Sequence, residues 1–275
     1  MATATVEYII KDILLYWIMK TVIVVSDYLE AYKAAQPITI LKHYNKLKES
    51  VLNIDSFGYN ITKSSVYSSM IEGNPIDFDS YLKYSTSGMN TKSKSFQEIK
   101  DLINAYHFAS SHSLIKKNIL SAHKILSDNL IAEEKYRGKI RDKDVFIFAG
   151  GKNIYQGAKK EIVEEETNLF YKDLSTLVKR EMTMNEIFYY AALIHLVFVK
   201  IHPFADGNGR MARLLEKWFL AQKLGKKAWF IQSEKLYQTR LKSYYSKMAI
   251  GITYEKTNYE LSVPFLLLLP MSLTA

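Results

Sequence analysis

Between residues 202 and 213 the chain reads HPFADGNGRMAR, a short run crowded with groups able to do chemistry. Gly207 and Gly209 flank Asn208 in a loop that opens onto a helix, whose apolar face is Leu214, Leu215, Trp218 and Phe219. Glycines let a backbone approach a phosphate closely, and the unpaired N–H groups and positive dipole end of the following helix point at it. Arg210 and Arg213 lie three apart, hence on one face, and can clamp further phosphate oxygens. Asp206 is the odd member, because an acid among phosphate-binding groups repels the ligand unless a cation such as Mg²⁺ bridges them. His202 exchanges a proton near neutral pH and sits one short loop away. Base, metal ligand, anion cradle and clamp together predict transfer of a nucleotide or phosphoryl group to a hydroxyl. The lone histidines His43, His107, His112, His123 and His195 read instead as satisfied core or surface residues.

The elements that must hold this loop are mostly helical. With 11 glycines and 5 prolines in 275 residues there is little turn chemistry for many strands, and 48% hydrophobic residues, with 20 Tyr and 13 Phe, exclude a largely disordered chain. The fold class expected is all-α with one small β-hairpin. Helical spacing predicts two helices over about 6–56 broken near Pro37, a third from about Thr62 to Glu72, and others at about 95–111, 114–131 and 160–179. The third stops at Gly73-Asn74-Pro75, so Glu72 falls in its last turn, where the helix dipole disfavours an anion by roughly 0.3–1 kcal/mol and a compensating partner is expected. Residues 85–95 are the most linker-like stretch. The hairpin is Asp144 to Tyr155, two β-rich runs around Gly150-Gly151. A capping box, Thr183 and Glu186, opens a helix that runs to about Lys200 and is apolar all round from Ala191 to Val199 except at His195, which marks a helix surrounded by protein. The tail from Leu261 to Leu273 reads as a last helix closing the core, with a homo-oligomer contact as the alternative.

The 37 Lys and Arg against 28 Asp and Glu give a net charge of +9, but the basic residues are dispersed in pairs such as Lys116-Lys117 and Lys226-Lys227. A solvated basic surface is expected rather than a nucleic-acid-binding module, which is the reading from a different class. The absence of cysteine excludes disulfides, thiolate metal sites and a Cys nucleophile, and is consistent with a cytoplasmic setting. The apolar run Ile13 to Val25 contains Lys20 and is too short to span a bilayer, so no membrane span is expected.

The run from His202 to Arg213 resembles the core motif of the Fic (filamentation-induced-by-cAMP) family, HPFx[D/E]GNGRxxR, at every fixed position. The resemblance implies a protein adenylyltransferase with ATP as substrate and Mg²⁺ as cofactor, acting on an exposed Ser, Thr or Tyr hydroxyl of a target protein. By resemblance His202 is the base that deprotonates the hydroxyl, Asp206 the Mg²⁺ ligand, and Asn208 with the backbone of Gly207 and Gly209 the phosphate cradle. Arg210 and Arg213 become the phosphate clamps, Phe204 the anchor of the loop, and Tyr245, in the pair Tyr244-Tyr245, a nucleotide contact. The hairpin stands where the family has its target-docking flap, formed here by Val145, Phe146, Ile147 and Phe148. Upstream, Ser68-Ser69-Met70-Ile71-Glu72-Gly73 resembles the family's inhibitory motif [S/T]xxxE[G/N], which implies that Glu72 withholds Arg213 from the ATP γ-phosphate. The chain then divides into an N-terminal helical extension, 1–60, and a Fic-like domain, 61–275, containing the inhibitory helix (about 62–73), the flap (about 144–157) and the core motif (202–213). Phosphoryl transfer of the Doc-like kind, or removal of AMP through water activated by Glu72, are the enzymatic alternatives. The first is opposed by Gly209, where that branch typically has a lysine.

Overall fold

The computed structural model describes residues 23–47, 56–89 and 91–274, so the run Ile13 to Val25 lies almost wholly outside the described residues. Its helices are α1 (Leu29–Ala34), α2 (Ile40–Lys46), α3 (Ser56–Ile71), α4 (Phe78–Ser87), α5 (Lys94–Ser111) and α6 (Lys116–Leu126). After the hairpin β1 (Phe146–Ala149) and β2 (Lys152–Gln156) come α7 (Val163–Lys179), α8 (Met184–Ile201), α9 (Asn208–Leu224), α10 (Ser233–Thr239) and α11 (Leu241–Met248). The all-α class with a single two-stranded antiparallel sheet is what the described residues form.

The core is built around α8. Its capping box is formed on both sides, and it is buried on nearly every residue, including Phe188, Tyr189, Leu193, Ile194 and Phe198. It is long and apolar enough to cross a membrane, but its apolar surface is spent inside the protein. α9 packs along it and contributes Leu214, Leu215, Trp218 and Phe219, all fully buried, each burial worth about 1.5–3 kcal/mol. α7, α1 and α2 cover other sides of α8, with Tyr32 edge-on to Tyr189 at 5.4 Å. α3, α5 and α6 lie beyond α9.

Four expectations are corrected. α3 already includes Ser56, ahead of the expected start near Thr62, and it ends at Ile71, so Glu72 stands in the turn just after the helix. Part of the polar stretch 85–95 belongs to α4, which is capped by Asp77 accepting from the Ser80 amide at 2.7 Å and closed by Gly88 at φ 72°. That helix buries only Tyr81, too little apolar surface to leave a periodic signal. The helix expected over 114–131 is confined to Lys116–Leu126. The tail is two single turns, Val263–Leu266 and Leu268–Met271, then a 3₁₀ turn, because Pro270 has no N–H with which to continue a helix.

Candidate active site

The site is assembled at the junction of α8 and α9. α8 ends at His202, which adopts φ 56°, ψ 58°, the only non-glycine residue at positive φ among the described residues. Such a conformation is disfavoured for a residue with a Cβ, and neighbours hold it here. Arg141 donates from Nε to the His202 carbonyl at 2.8 Å, its backbone N–H reaches the Pro203 carbonyl at 2.9 Å, and its guanidinium also bonds the Ala158 carbonyl. A cation clasping the last carbonyls of a helix also complements its dipole. Gly157 allows the approach, since a Cβ there would meet the His202 Cβ at 2.9 Å.

The His202 ring has its Nδ1 3.2 Å from the Val199 carbonyl. A carbonyl only accepts, so Nδ1 carries the proton and Nε2 keeps its lone pair. Burial pushes the imidazole pKa down to about 4, so the ring is neutral at physiological pH. An unprotonated Nε2 is what a general base requires.

The loop that follows is clasped from within. The Asn208 side chain accepts from the Phe204 N–H at 2.9 Å and donates to the Phe204 carbonyl at 2.8 Å, while the Phe204 ring is fully buried. The Asn208 amide thus braces the loop through one bond at each of its polar atoms, and the residue also lines the cleft bordered by His202 and Asp206. Gly207, at φ 80°, caps α9, and its N–H is taken by the Asp206 carboxylate at 2.6 Å. The N–H groups of Asn208, Gly209 and Arg210 form the first helical turn and have no acceptor within the helix.

Two clefts meet at this turn. The first, about 400 Å³, is lined among others by His202, Asp206, Gly207, Asn208, Gly209 and Arg210. Arg210 is buried and donates to Glu98 at 3.2 Å, yet its Nε and Nη1 have no partner among the described residues. The second, about 220 Å³ and largely apolar, is lined by residues including Ile147, Ile154, His202, Arg213, Tyr245 and Met248. Of the four flap residues only Ile147 lines it; Phe146 and Phe148 are exposed, and the Val145 carbonyl is bonded to the Gly157 amide.

Glu72 borders both clefts. Its carboxylate pairs with Arg213 Nη2 at 2.5 Å, and a Cβ on Gly209 would run into it, so the acid lies where an anion held by the first turn of α9 would lie. Burial opposes the charge, but Arg213, assisted by Arg210, holds the carboxyl below the ordinary range. Arg213 also donates to the Ser68 hydroxyl at 2.8 Å, the Ser68 carbonyl at 3.0 Å and the Tyr244 hydroxyl at 3.2 Å. In this structure Arg210 faces the first cleft, whereas Arg213 is enclosed beside α3. Tyr245 donates to the Ile71 carbonyl at 3.0 Å, tying α11 to the end of α3.

Several participants left no mark that sequence reasoning used. Arg141 and His123 come from distant segments, and His195 links Glu216 (2.8 Å) to the Tyr244 hydroxyl (2.9 Å) behind Arg213. The spacing of Arg213, Glu216 and Lys217 along α9 is the signal that could have exposed this polar face. Among the described residues no three His, Cys, Asp or Glu converge on a metal site. A Mg²⁺ would rest on Asp206 together with phosphate and water oxygens, a donor set suited to that ion, and the two orphaned Arg210 donors fit the phosphates it would accompany.

The described residues form a helical domain that presents a histidine, an acid and the first turn of a helix to one cleft, an arrangement suited to holding an anion. Residues 113–220 match the model of the Fic/DOC family. Protein adenylyltransferase fic-1 of Caenorhabditis elegans is 31% identical over 156 residues, which are 53% of this chain and 28% of the relative. Its counterpart from Caenorhabditis briggsae is 32% identical over 157 residues, 53% and 29% of the two chains, so this chain matches under a third of either relative. In fold it is similar to a Fic family protein from Desulfovibrio desulfuricans G20, with a TM-score of 0.69 at 22% identity, covering 89% of this chain and 70% of the other. A Fic domain containing signaling protein from Bacteroides thetaiotaomicron VPI-5482 shares it at a TM-score of 0.59 and 19% identity, covering 90% and 92%.

Proposed function

We propose that the chain transfers AMP from ATP to a Ser, Thr or Tyr hydroxyl of a target protein, and that Glu72 restrains the reaction. The observation that carries the reading is Arg210, whose two buried, unpartnered N–H groups border the cleft shared by His202, Asp206 and the first-turn amides of α9. Buried donors without partners are costly and fit an absent anion. His202 Nε2 takes the proton of the target hydroxyl; the hydroxyl oxygen attacks the α-phosphorus; the bond from that phosphorus to the bridging oxygen breaks, and pyrophosphate leaves. The first-turn amides stabilise the charge that gathers on the α-phosphate. A Mg²⁺ held by Asp206 would neutralise charge on the phosphates. Tyr245 and the apolar cleft receive the base. Two relatives named as protein adenylyltransferases, alike over about half of this chain (53%), support the transferase class.

Glu72 restrains by occupying Arg213, which the γ-phosphate would otherwise engage. Its position against Gly209 also favours a second reading, in which it activates a water that removes AMP. Intact-mass measurement of Glu72→Gly incubated with Mg²⁺-ATP and candidate targets tests the main reading. An added AMP is expected; an added phosphate, or no adduct on any protein present, overturns it.

A further inference from the structure

His123 lies on α6, far from the motif in sequence, and is fully buried. Its Nε2 is 2.9 Å from the Asp206 carbonyl, and its Nδ1 is 2.9 Å from the Gly138 N–H. A backbone N–H only donates, so Nδ1 is the acceptor, and Nε2 carries the proton and donates to Asp206. The ring stacks on Phe204 with centroids 3.5 Å apart.

We propose that His123 is the positioning residue of the anion loop, fixing the Asp206–Gly207 peptide in the orientation that aims the Asp206 carboxylate and the first-turn amides of α9 into the cleft. That peptide is held at both ends: its carbonyl by His123 and its N–H by the Asp206 carboxylate. It is also the easiest peptide of the loop to turn over, because Gly207 has no Cβ to forbid the alternative. The clasp between Asn208 and Phe204 anchors the loop to the core but does not touch this peptide. A flipped peptide would turn the Asp206 carbonyl toward the phosphates and free the carboxylate from the Gly207 N–H. The loop would then still be folded, and wrong. The functional consequence rests on the proposed AMP transfer; the orientation itself does not.

Two variants separate the two bonds of the ring. In His123→Asn the short amide can accept from Gly138 but falls short of Asp206, whereas in His123→Gln the longer amide reaches Asp206 and gives up Gly138. Both keep a neutral polar side chain at the same buried position, so a merely structural role costs them alike. Hydrogen exchange at the Gly207 amide, read without nucleotide, should quicken about tenfold in His123→Asn and stay near wild type in His123→Gln. In the Glu72→Gly background, AMP transfer should fall with it in the Asn variant alone. Equal exchange in the two variants overturns the inference, whatever the transfer assay reads. If His123→Asn does not fold, His123→Gln decides: protection at Gly207 supports the role, and quickened exchange overturns it. Differential exchange without AMP transfer in the Glu72→Gly protein would uphold the positioning role and sink the AMP-transfer reading.

Discussion

His202 is prepared for its part by three local causes acting together: a left-handed backbone that turns it out of α8, a carbonyl that takes its Nδ1 proton, and burial that lowers its pKa to about 4. His202→Ala should therefore lose about 10²-fold or more in transfer while still binding ATP, because a base acts in the transition state; retained transfer, measured in the Glu72→Gly background, would remove it from the chemistry. The lowered pKa gives a second expectation. Only the neutral ring can accept a proton, so the step that depends on it should persist below pH 6 and fail as pH approaches 4. His123 is pushed down to about 4 as well, chiefly by burial. Both rings titrate lower in the folded state than the ordinary 6.5 of the unfolded chain, so between pH 6.5 and 4 the unfolded state binds more protons and stability falls as pH falls. Chemical denaturation across that window checks the sign. The motif itself was legible because its residue types are contiguous. Which partners each donor takes was not, since Asn208 bonds to Phe204 and Arg213 to Ser68, and such partners are set by tertiary packing.

The elements act on the site from two sides. α3 brings Ser68 and Glu72 onto Arg213, and the sequence signalled this contact through a carboxylate placed where a helix end disfavours it. Glu72→Gly should raise ATP affinity and auto-modification: a shift of about 1.4 kcal/mol raises a small competent fraction tenfold. Adding Arg213→Ala should cancel most of the gain in ATP binding, and calorimetry with ATP against AMP would separate the two. On the other side, the hairpin offers one strand edge. Gln156 spends its N–H on the Ile252 carbonyl and its carbonyl on the Tyr254 N–H, so the opposed residue, Phe146, turns its own backbone groups away from β2. Ile147 pairs with Tyr155, inside the hairpin. A target segment adding to β1 would thus use the N–H of Phe146. Phe146→Pro, at the first residue of an edge strand where proline is tolerated, should lower target modification severalfold without changing ATP affinity; unchanged modification of a verified target would count against docking on this edge. Strand existence could be read from β-rich runs around paired glycines, but which amides are free depends on the 252–254 segment, which no local pattern announces.

Across the whole molecule the helical class was legible from composition and the core from the apolar α8, whereas the way α3 is fastened to the body was not. Besides the apolar contacts of Ile61, Val66 and Ile71, α3 is held by polar groups that are fully buried. Lys217 on α9 donates to Ser64 on α3 at 2.5 Å and to Glu234 on α10 at 2.6 Å, and Tyr106 on α5 donates to the other oxygen of Glu234 at 2.8 Å. Four helices meet at one ion pair in which both side chains are inaccessible to solvent. Burial works against the Lys217 charge and Glu234 sustains it. In sequence these residues read as ordinary charged and small polar positions, because a lysine and a glutamate are seldom fully buried unless paired, and the pairing spans distant segments. An ion pair of this kind adds little net stability over an apolar replacement, but removing one partner strands a charge. Lys217→Met should cost about 3–5 kcal/mol in chemical denaturation, because Glu234 is left buried with only a hydroxyl donor. Adding Glu234→Gln should recover much of that loss, since a neutral amide still accepts from Tyr106 and no longer needs a counter-charge. A single-variant loss below about 1 kcal/mol would mean that water reaches this junction. Because Ser64 stands one turn before Ser68 on α3, the single variant should also loosen the helix that presents Glu72 and raise ATP affinity, as Glu72→Gly does, whereas a purely local loss would leave nucleotide binding unchanged.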